Sequence, residues 1–184
     1  IERTFEAIAQ ILGIPAPLAK KERYLVVNID YRKLPAHQII GIEQIYLKSR
    51  TPDEEVRIKK RSQDNACMYF VARTRTVRKP DVRIEEEELI TEQEYLNLRK
   101  LIDPKTEAIH KERICLLWNN QRIEIDRFQG RYEGLAIMEI ETVNSNGQEE
   151  EIHIPPFIEV GGNITVDRKY SSKHMAYKKR AKNS

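Results

Sequence analysis

Apolar and charged residues alternate through the middle of this 184-residue chain. Val56 and Ile58 interleave with Arg57 and Lys59, Ile123 and Ile125 with Glu124 and Asp126, and Met138 and Ile140 with Glu139 and Glu141. A period of two marks a strand whose two faces meet different surroundings, since side chains at i and i+2 point the same way. The pattern predicts eight strands: Glu22–Asn28, Gln38–Ser49, Glu54–Arg61, Met68–Thr76, Val82–Leu89, Ala108–Trp118, Gln121–Phe128 and Leu135–Val143. Turn signals fall between them at Thr51-Pro52-Asp53, Gln63-Asp64-Asn65 and Asn119-Asn120. A short turn or helix at Asp30–Leu34 is stopped by Pro35.

Helical spacing is confined to a few places. Phe5, Ile8, Ile11 and Leu12 share one face over Glu2–Leu12, which Gly13 and Pro15-Ala16-Pro17 end. Thr91 with Glu94 three residues on forms a capping box, opening a helix that runs to about Leu101. Pro155-Pro156 opens a short turn or helix, and Asp167–Ala176 reads as a last helix. The expected organisation is a helix and connector over 1–18, one domain over 19–177 and a basic tail over 178–184, with no internal repeat. Strands in meander-like order with few helices predict an α+β, mainly β fold: an eight-stranded antiparallel barrel with flanking helices.

Charges two apart recur on these strands: Arg57-x-Lys59, Arg83-x-Glu85-x-Glu87, Lys111-x-Arg113, Glu124-x-Asp126 and Glu139-x-Glu141. A sheet with one face in water gives this alternation. A barrel with a polar interior gives it too. Segregation of sign by strand, with Arg57, Lys59 and Arg61 together and Glu139 and Glu141 together, favours the interior, because solvated surfaces mix signs.

Composition narrows the classes. Apolar residues make up 40% of the chain and charged ones 33%, and 32 basic against 29 acidic residues leave a net charge of +3. That balance is too mild to argue for nucleic acid, and the tail Lys178–Lys182 reads as solvated. No apolar run reaches the length of a membrane span. Cys67 and Cys115 lie in strand-like segments without metal spacing and read as buried reduced thiols, which suits the cytoplasm. His37, His110, His153 and His174 share no motif and read as solvent-facing or structural.

The motif order resembles the CYTH, or triphosphate tunnel metalloenzyme, superfamily. The matching pieces are IEQIYL (Ile42–Leu47), EVRIKKR (Glu55–Arg61), VRIEEEELITEQEYL (Val82–Leu96), IHKERICLLWNNQRIEIDRFQG (Ile109–Gly130), LAIMEIET (Leu135–Thr142) and PPFIEVGGNITVDRKYSSKHMA (Pro155–Ala176). The resemblance implies an eight-stranded tunnel that binds a triphosphate-bearing small molecule and acts on it with a divalent metal, Mg2+ or Mn2+. It implies phosphate contacts from Arg23, Arg57, Lys59, Arg83, Lys111, Arg113 and Lys173, and from Arg73 or Arg75. It implies metal ligands at Asp126, Glu139 and Glu141, and further tunnel positions at Glu85, Glu87, Glu124, Asp167 and Tyr170.

The first strand departs from the pattern. Where the family carries Glu-x-Glu-x-Lys, this chain has Ala19-Lys20-Lys21-Glu22-Arg23. Both carboxylates are gone, and Glu22, one position off, is expected to face the other way. Lys21 is expected in the tunnel, paired with Asp126, Glu139 or Glu141 and partly replacing the metal. Two readings follow: a hydrolase with altered ligands, or a phosphate-, nucleotide- or phosphoinositide-binding module. A helix and Pro-rich connector ahead of such a domain resemble proteins with a preceding P-loop ATPase domain, such as the TRPL translocation defect family. This chain has no GxxxxGK[ST] motif of its own.

Overall fold

The structure, a computed structural model, describes residues 21–49, 51, 54–76, 83–142 and 151–178. The expected N-terminal helix, Ala19 and the tail beyond Lys178 lie outside the described residues. In order the elements are β1 (Lys21–Ile29), β2 (His37–Tyr46), β3 (Glu54–Gln63), β4 (Ala66–Thr76), β5 (Arg83–Ile90), α1 (Glu92–Arg99), β6 (Ile109–Trp118), β7 (Gln121–Phe128), β8 (Ala136–Thr142), β9 (Ile158–Asn163) and α2 (Ser172–Ala176). The strands are hydrogen-bonded in the order β5-β4-β3-β2-β6-β7-β8-β1-β9. Among the described residues β5 and β9 end the sheet, so the strands are seen as an antiparallel sheet of nine, and pairing that would close the expected eight-stranded barrel is not seen.

The additional strand is β9. Its sequence, IEVGGN, carries two glycines and follows Pro155-Pro156, a composition that weakens a strand signal. It forms because β1 supplies a partner. The β1–β9 register slips between Leu25 and Val26 and again before Asn28, and a Cβ on Gly161 would meet Val27 Cγ2 at 3.1 Å. The expected last helix is also broken. Asp167 accepts from Lys169 N at 3.1 Å to cap a 3-10 turn, Arg168–Tyr170, and Ser171 then accepts from His174 N at 3.2 Å to start α2. Two capping side chains in five residues stop one helix and start another.

Two units divide the described residues, and β2, β6 and β7 contribute to both. The first holds 21–38, 114–125, 136–142 and 151–165. Its core gathers Ile29, Ile114, Leu116, Ile123, Ile125, Met138, Ile140, Phe157 and Ile158, all buried. Each such side chain contributes about 1.5–3 kcal/mol by leaving water. Hydrophobic members of the two-residue alternation therefore point to this core. The charged members of β1 and β8 share the other face, since Lys21 pairs in register with Glu141 and Arg23 with Glu139. Asn119 and Asn120 both have positive φ, 50° and 57°, as a two-residue hairpin turn requires.

The second unit holds 39–49, 51, 54–76, 83–113, 126–135 and 166–178. Its core is Ile45, Leu47, Ile58, Val71 and Tyr95, the last brought by α1. The capping box of α1 is formed: Thr91 Oγ1 accepts from Glu94 N at 3.2 Å, and Glu94 accepts from Thr91 N at 2.8 Å. Cys67 lies exposed beside the Asp64-Asn65 turn, and in the first unit Cys115 is half-buried, so neither is the buried thiol expected; they form no disulfide. Among the described residues no helix is long and apolar enough to cross a membrane.

Candidate functional site

Strand register decides which charged residues of the second unit share a face. Arg57 lies opposite Ala72 and Lys59 opposite Phe70, while Ala72 lies opposite Glu87. Directly opposed residues point the same way, so Arg57, Lys59, Arg61 and Glu87 occupy one face. Val56 lies opposite Arg73, and Glu54 opposite Arg75. Arg73 and Arg75 therefore sit on the reverse face with Val56 and Ile58, not with the expected phosphate contacts. There Arg73 meets Glu88 at 3.8 Å and Arg75 meets Glu54 at 3.5 Å. Arg83 and Glu85 hold register positions opposite Thr76 and Thr74; their side chains lie outside the described ones.

Among the described side chains, Arg57, Lys59 and Arg61 on this face are each held by a carboxylate of the chain. Glu87 accepts from Lys59 Nζ and from Arg61 at 2.8 Å. Burial would raise the Glu87 carboxyl, but Lys59 first and then Arg61 and Arg57 hold it below the usual carboxylate range. Glu55 accepts from Arg57 at 3.3 Å and meets Lys173 of α2 at 3.1 Å. A cavity of about 360 Å³ opens beside Glu55, Lys173 and Tyr46. Arg61 also stacks over Phe70, 4.4 Å from the ring centre.

Asp126 is the most tightly held acid. It accepts from Lys111 Nζ at 2.5 Å and from both Nε and Nη2 of Arg113, at 2.7 and 2.9 Å. The Lys111 side chain is 6% exposed and that of Asp126 14%. Burial alone would raise the Asp126 carboxyl, but Lys111 and Arg113 override it and bring it down to about 2. Burial pulls the Lys111 ammonium below the ordinary lysine value; Asp126 opposes this, while Arg113 and Lys59 add to it. Asp167 and Tyr170 make local contacts instead: Asp167 caps its own turn and pairs with Lys169 at 3.2 Å, and the Lys169 ammonium lies 4.8 Å from the Tyr170 ring centre.

The first unit brings together a different set. Lys21 Nζ lies 2.9 Å from Glu139 and 3.9 Å from Glu141, and Arg23 Nε lies 3.8 Å from Glu139. Arg122 meets Glu124 at 2.8 Å and Glu141 at 4.0 Å. Burial opposes the Lys21 charge, but Glu139 first, then Glu141 and Glu124, raise its pKa. Glu22 points away, as its position implies, and accepts from the Tyr24 hydroxyl and from Asn163 at 3.1 Å. Sequence reasoning passed over Glu55, Arg61 and Arg122 as site residues. The signal for each was its position two residues from a chosen charge, which puts it on the same face.

A divalent metal does not fit these carboxylates as they stand. It needs several hard oxygen donors converging without competing cations. Asp126 is taken by Lys111 and Arg113, Glu139 by Lys21 and Arg23, and Glu141 by Lys21 and Arg122. Among the described residues, no group of three or more His, Cys, Asp and Glu side chains is placed to hold a metal ion.

No protein-family model and no curated protein matches the chain. Solved structures do. The inorganic triphosphatase NE1496 matches with a TM-score of 0.62 at 20% identity, covering 90% of this chain and 99% of that one. A second crystal structure of NE1496, described as a hypothetical protein, matches at 0.60 with 21% identity over 86% and 97%. PH1819 from Pyrococcus horikoshii OT3 matches at 0.52 with 18% identity over 70% and 79%. The chain therefore shares the fold of the inorganic triphosphatase NE1496 and of PH1819.

Proposed function

We propose that this chain is a CYTH-fold domain that binds a triphosphate-bearing small molecule on the basic face of its second unit. The observation that carries the reading is the bridged array: Arg57, Lys59, Arg61, Lys111, Arg113 and Lys173 converge on Glu55, Glu87 and Asp126. Guanidinium forks and ammonium groups are the donors that phosphate oxygens require. The likeness to the inorganic triphosphatase NE1496 supports a linear polyphosphate as the ligand class. Closure of the sheet into a tunnel belongs to this proposal, and so does a cytoplasmic setting.

Between hydrolysis and binding alone, the ion pairs favour a binding module. The carboxylates expected to hold Mg2+ or Mn2+ carry lysine and arginine instead. In this second reading the module serves a P-loop NTPase domain of the same protein, and a nucleotide or phosphoinositide headgroup is an alternative ligand. Titration calorimetry with tripolyphosphate, with and without Mg2+, tests the first claim; absence of binding in both conditions overturns it. Phosphate release from tripolyphosphate, ATP and thiamine triphosphate, with Mg2+ or Mn2+, tests the second. Robust metal-dependent turnover by the unmodified chain would show that it is a hydrolase.

A further inference from the structure

The three acids of the basic face are not equivalent. Asp126 accepts three charge-assisted hydrogen bonds, two of them from one guanidinium fork, and sits deep in the fold. Glu87 accepts from two side chains of the same strand, Lys59 and Arg61. Glu55 is held most loosely: its contacts to Arg57 and Lys173 are 3.3 and 3.1 Å, and one comes from the short helix α2. Each carboxylate occupies donors that an incoming phosphate needs. A ligand therefore displaces them only if its own charge outweighs theirs.

Resting on the polyphosphate reading above, we propose that Glu55 and Glu87 are specificity-determining residues, built-in anions that set a charge threshold for the ligand. Each added phosphoryl group brings more negative charge and more acceptor oxygens. Tripolyphosphate meets Arg57, Lys59, Arg61 and Lys173 with enough of both to displace the two glutamates. Pyrophosphate and orthophosphate do not. Asp126 stays in place for every ligand and orients Lys111 and Arg113. The direction of the effect is unusual: removing a charged residue from the site strengthens binding of the smaller anions.

The test measures the affinities of the whole chain for tripolyphosphate, pyrophosphate and orthophosphate by calorimetry. It compares the unmodified chain with Glu55→Gln, Glu87→Gln and the double variant. Glu55→Asp and Glu87→Asp retain the charge, and Glu86→Gln, on an exposed side chain of the reverse face, controls for net charge. Thermal melts confirm that each variant is folded. The expected result is a gain in pyrophosphate affinity of about tenfold per Gln substitution, the equivalent of one charged hydrogen bond. Preference for tripolyphosphate should shrink accordingly, with no change in the Asp variants or in Glu86→Gln. If tripolyphosphate still binds and the ratio of affinities stays fixed or widens, the threshold is overturned and the binding site stands. An equal gain in Glu86→Gln also overturns it, since net charge then suffices. If no phosphate binds to any version, the binding site and the threshold fall together. Binding that appears only in the Gln variants supports the masking role while refuting the unmodified chain as a polyphosphate binder.

Discussion

Two clusters in this protein use the same ion-pair chemistry in different surroundings. Asp126 with Lys111 and Arg113 is enclosed, with side chains 14%, 6% and 23% exposed. Lys21 with Glu139 is half-open, at 50% and 28%. In the enclosed cluster, desolvation makes every partner indispensable, because a charge left alone has no water to answer it. In the open one, water and dissolved ions can take the place of either partner. The same contact is thus architecture in one place and an adjustable charge in the other.

The largest effect is expected from Asp126→Ala, which strands two cations in the enclosed cluster. It should cost about 3–5 kcal/mol of stability, read from the urea midpoint. A midpoint unchanged from the parent would erase the contrast between the clusters. Acid provides the next test. The Asp126 carboxyl lies at about 2 in the folded chain, against roughly 3.9 when unfolded. A depressed carboxyl stabilises the fold above its unfolded value and loses that contribution as pH falls through its folded one. About 2.5 kcal/mol should therefore disappear between roughly pH 4 and pH 2, and Asp126→Asn should flatten that slope. An equal slope in Asp126→Asn would assign the acid sensitivity elsewhere.

Arg57→Ala and Arg113→Ala should each weaken tripolyphosphate binding by about 1.5–3 kcal/mol. Only Arg113→Ala should also lower the melting temperature markedly, since Arg113 supports the enclosed carboxylate. Unchanged calorimetric affinity in both variants would remove them from the site. The smallest effect belongs to Lys21→Ala, under about 1 kcal/mol in stability. Ala19→Glu combined with Lys21→Glu should create Mg2+ affinity where the parent shows little, measurable by titration. Tight Mg2+ binding by the parent, insensitive to Lys21→Ala, would refute the idea that the ammonium occupies a metal's place.

Much of this was legible before the structure. Period-two alternation located eight of the nine strands among the described residues, because burial of Ile58, Ile123, Ile125, Met138 and Ile140 leaves a strong signal in residue type. Thr91 and Glu94 announced their helix, and Asn119-Asn120 its turn. The family resemblance set Lys21 against Asp126, Glu139 or Glu141, and the structure selects Glu139, with Glu141 farther off. Face assignment in β4 was harder. Periodicity groups Arg73 with Arg75 but does not say which side they take. That depends on the register set by the two-residue loop Asp64-Asn65, which pairs Gln63 with Ala66 and so Val56 with Arg73. Strand β9 stayed hidden because Gly161, Gly162 and the preceding prolines weaken its strand signal, and its pairing with β1 is not visible in the sequence.

Lys21 has a consequence for how the acidic cluster acquires its countercharge. A dissolved ion must be captured from solution, at whatever concentration the surroundings supply. A side chain arrives with folding, at the high effective concentration that covalent attachment confers. Chelators cannot strip it, and scarcity of divalent ions cannot empty it. Through Lys21, Glu139 and Glu141 have a countercharge that is encoded, inherited and always present.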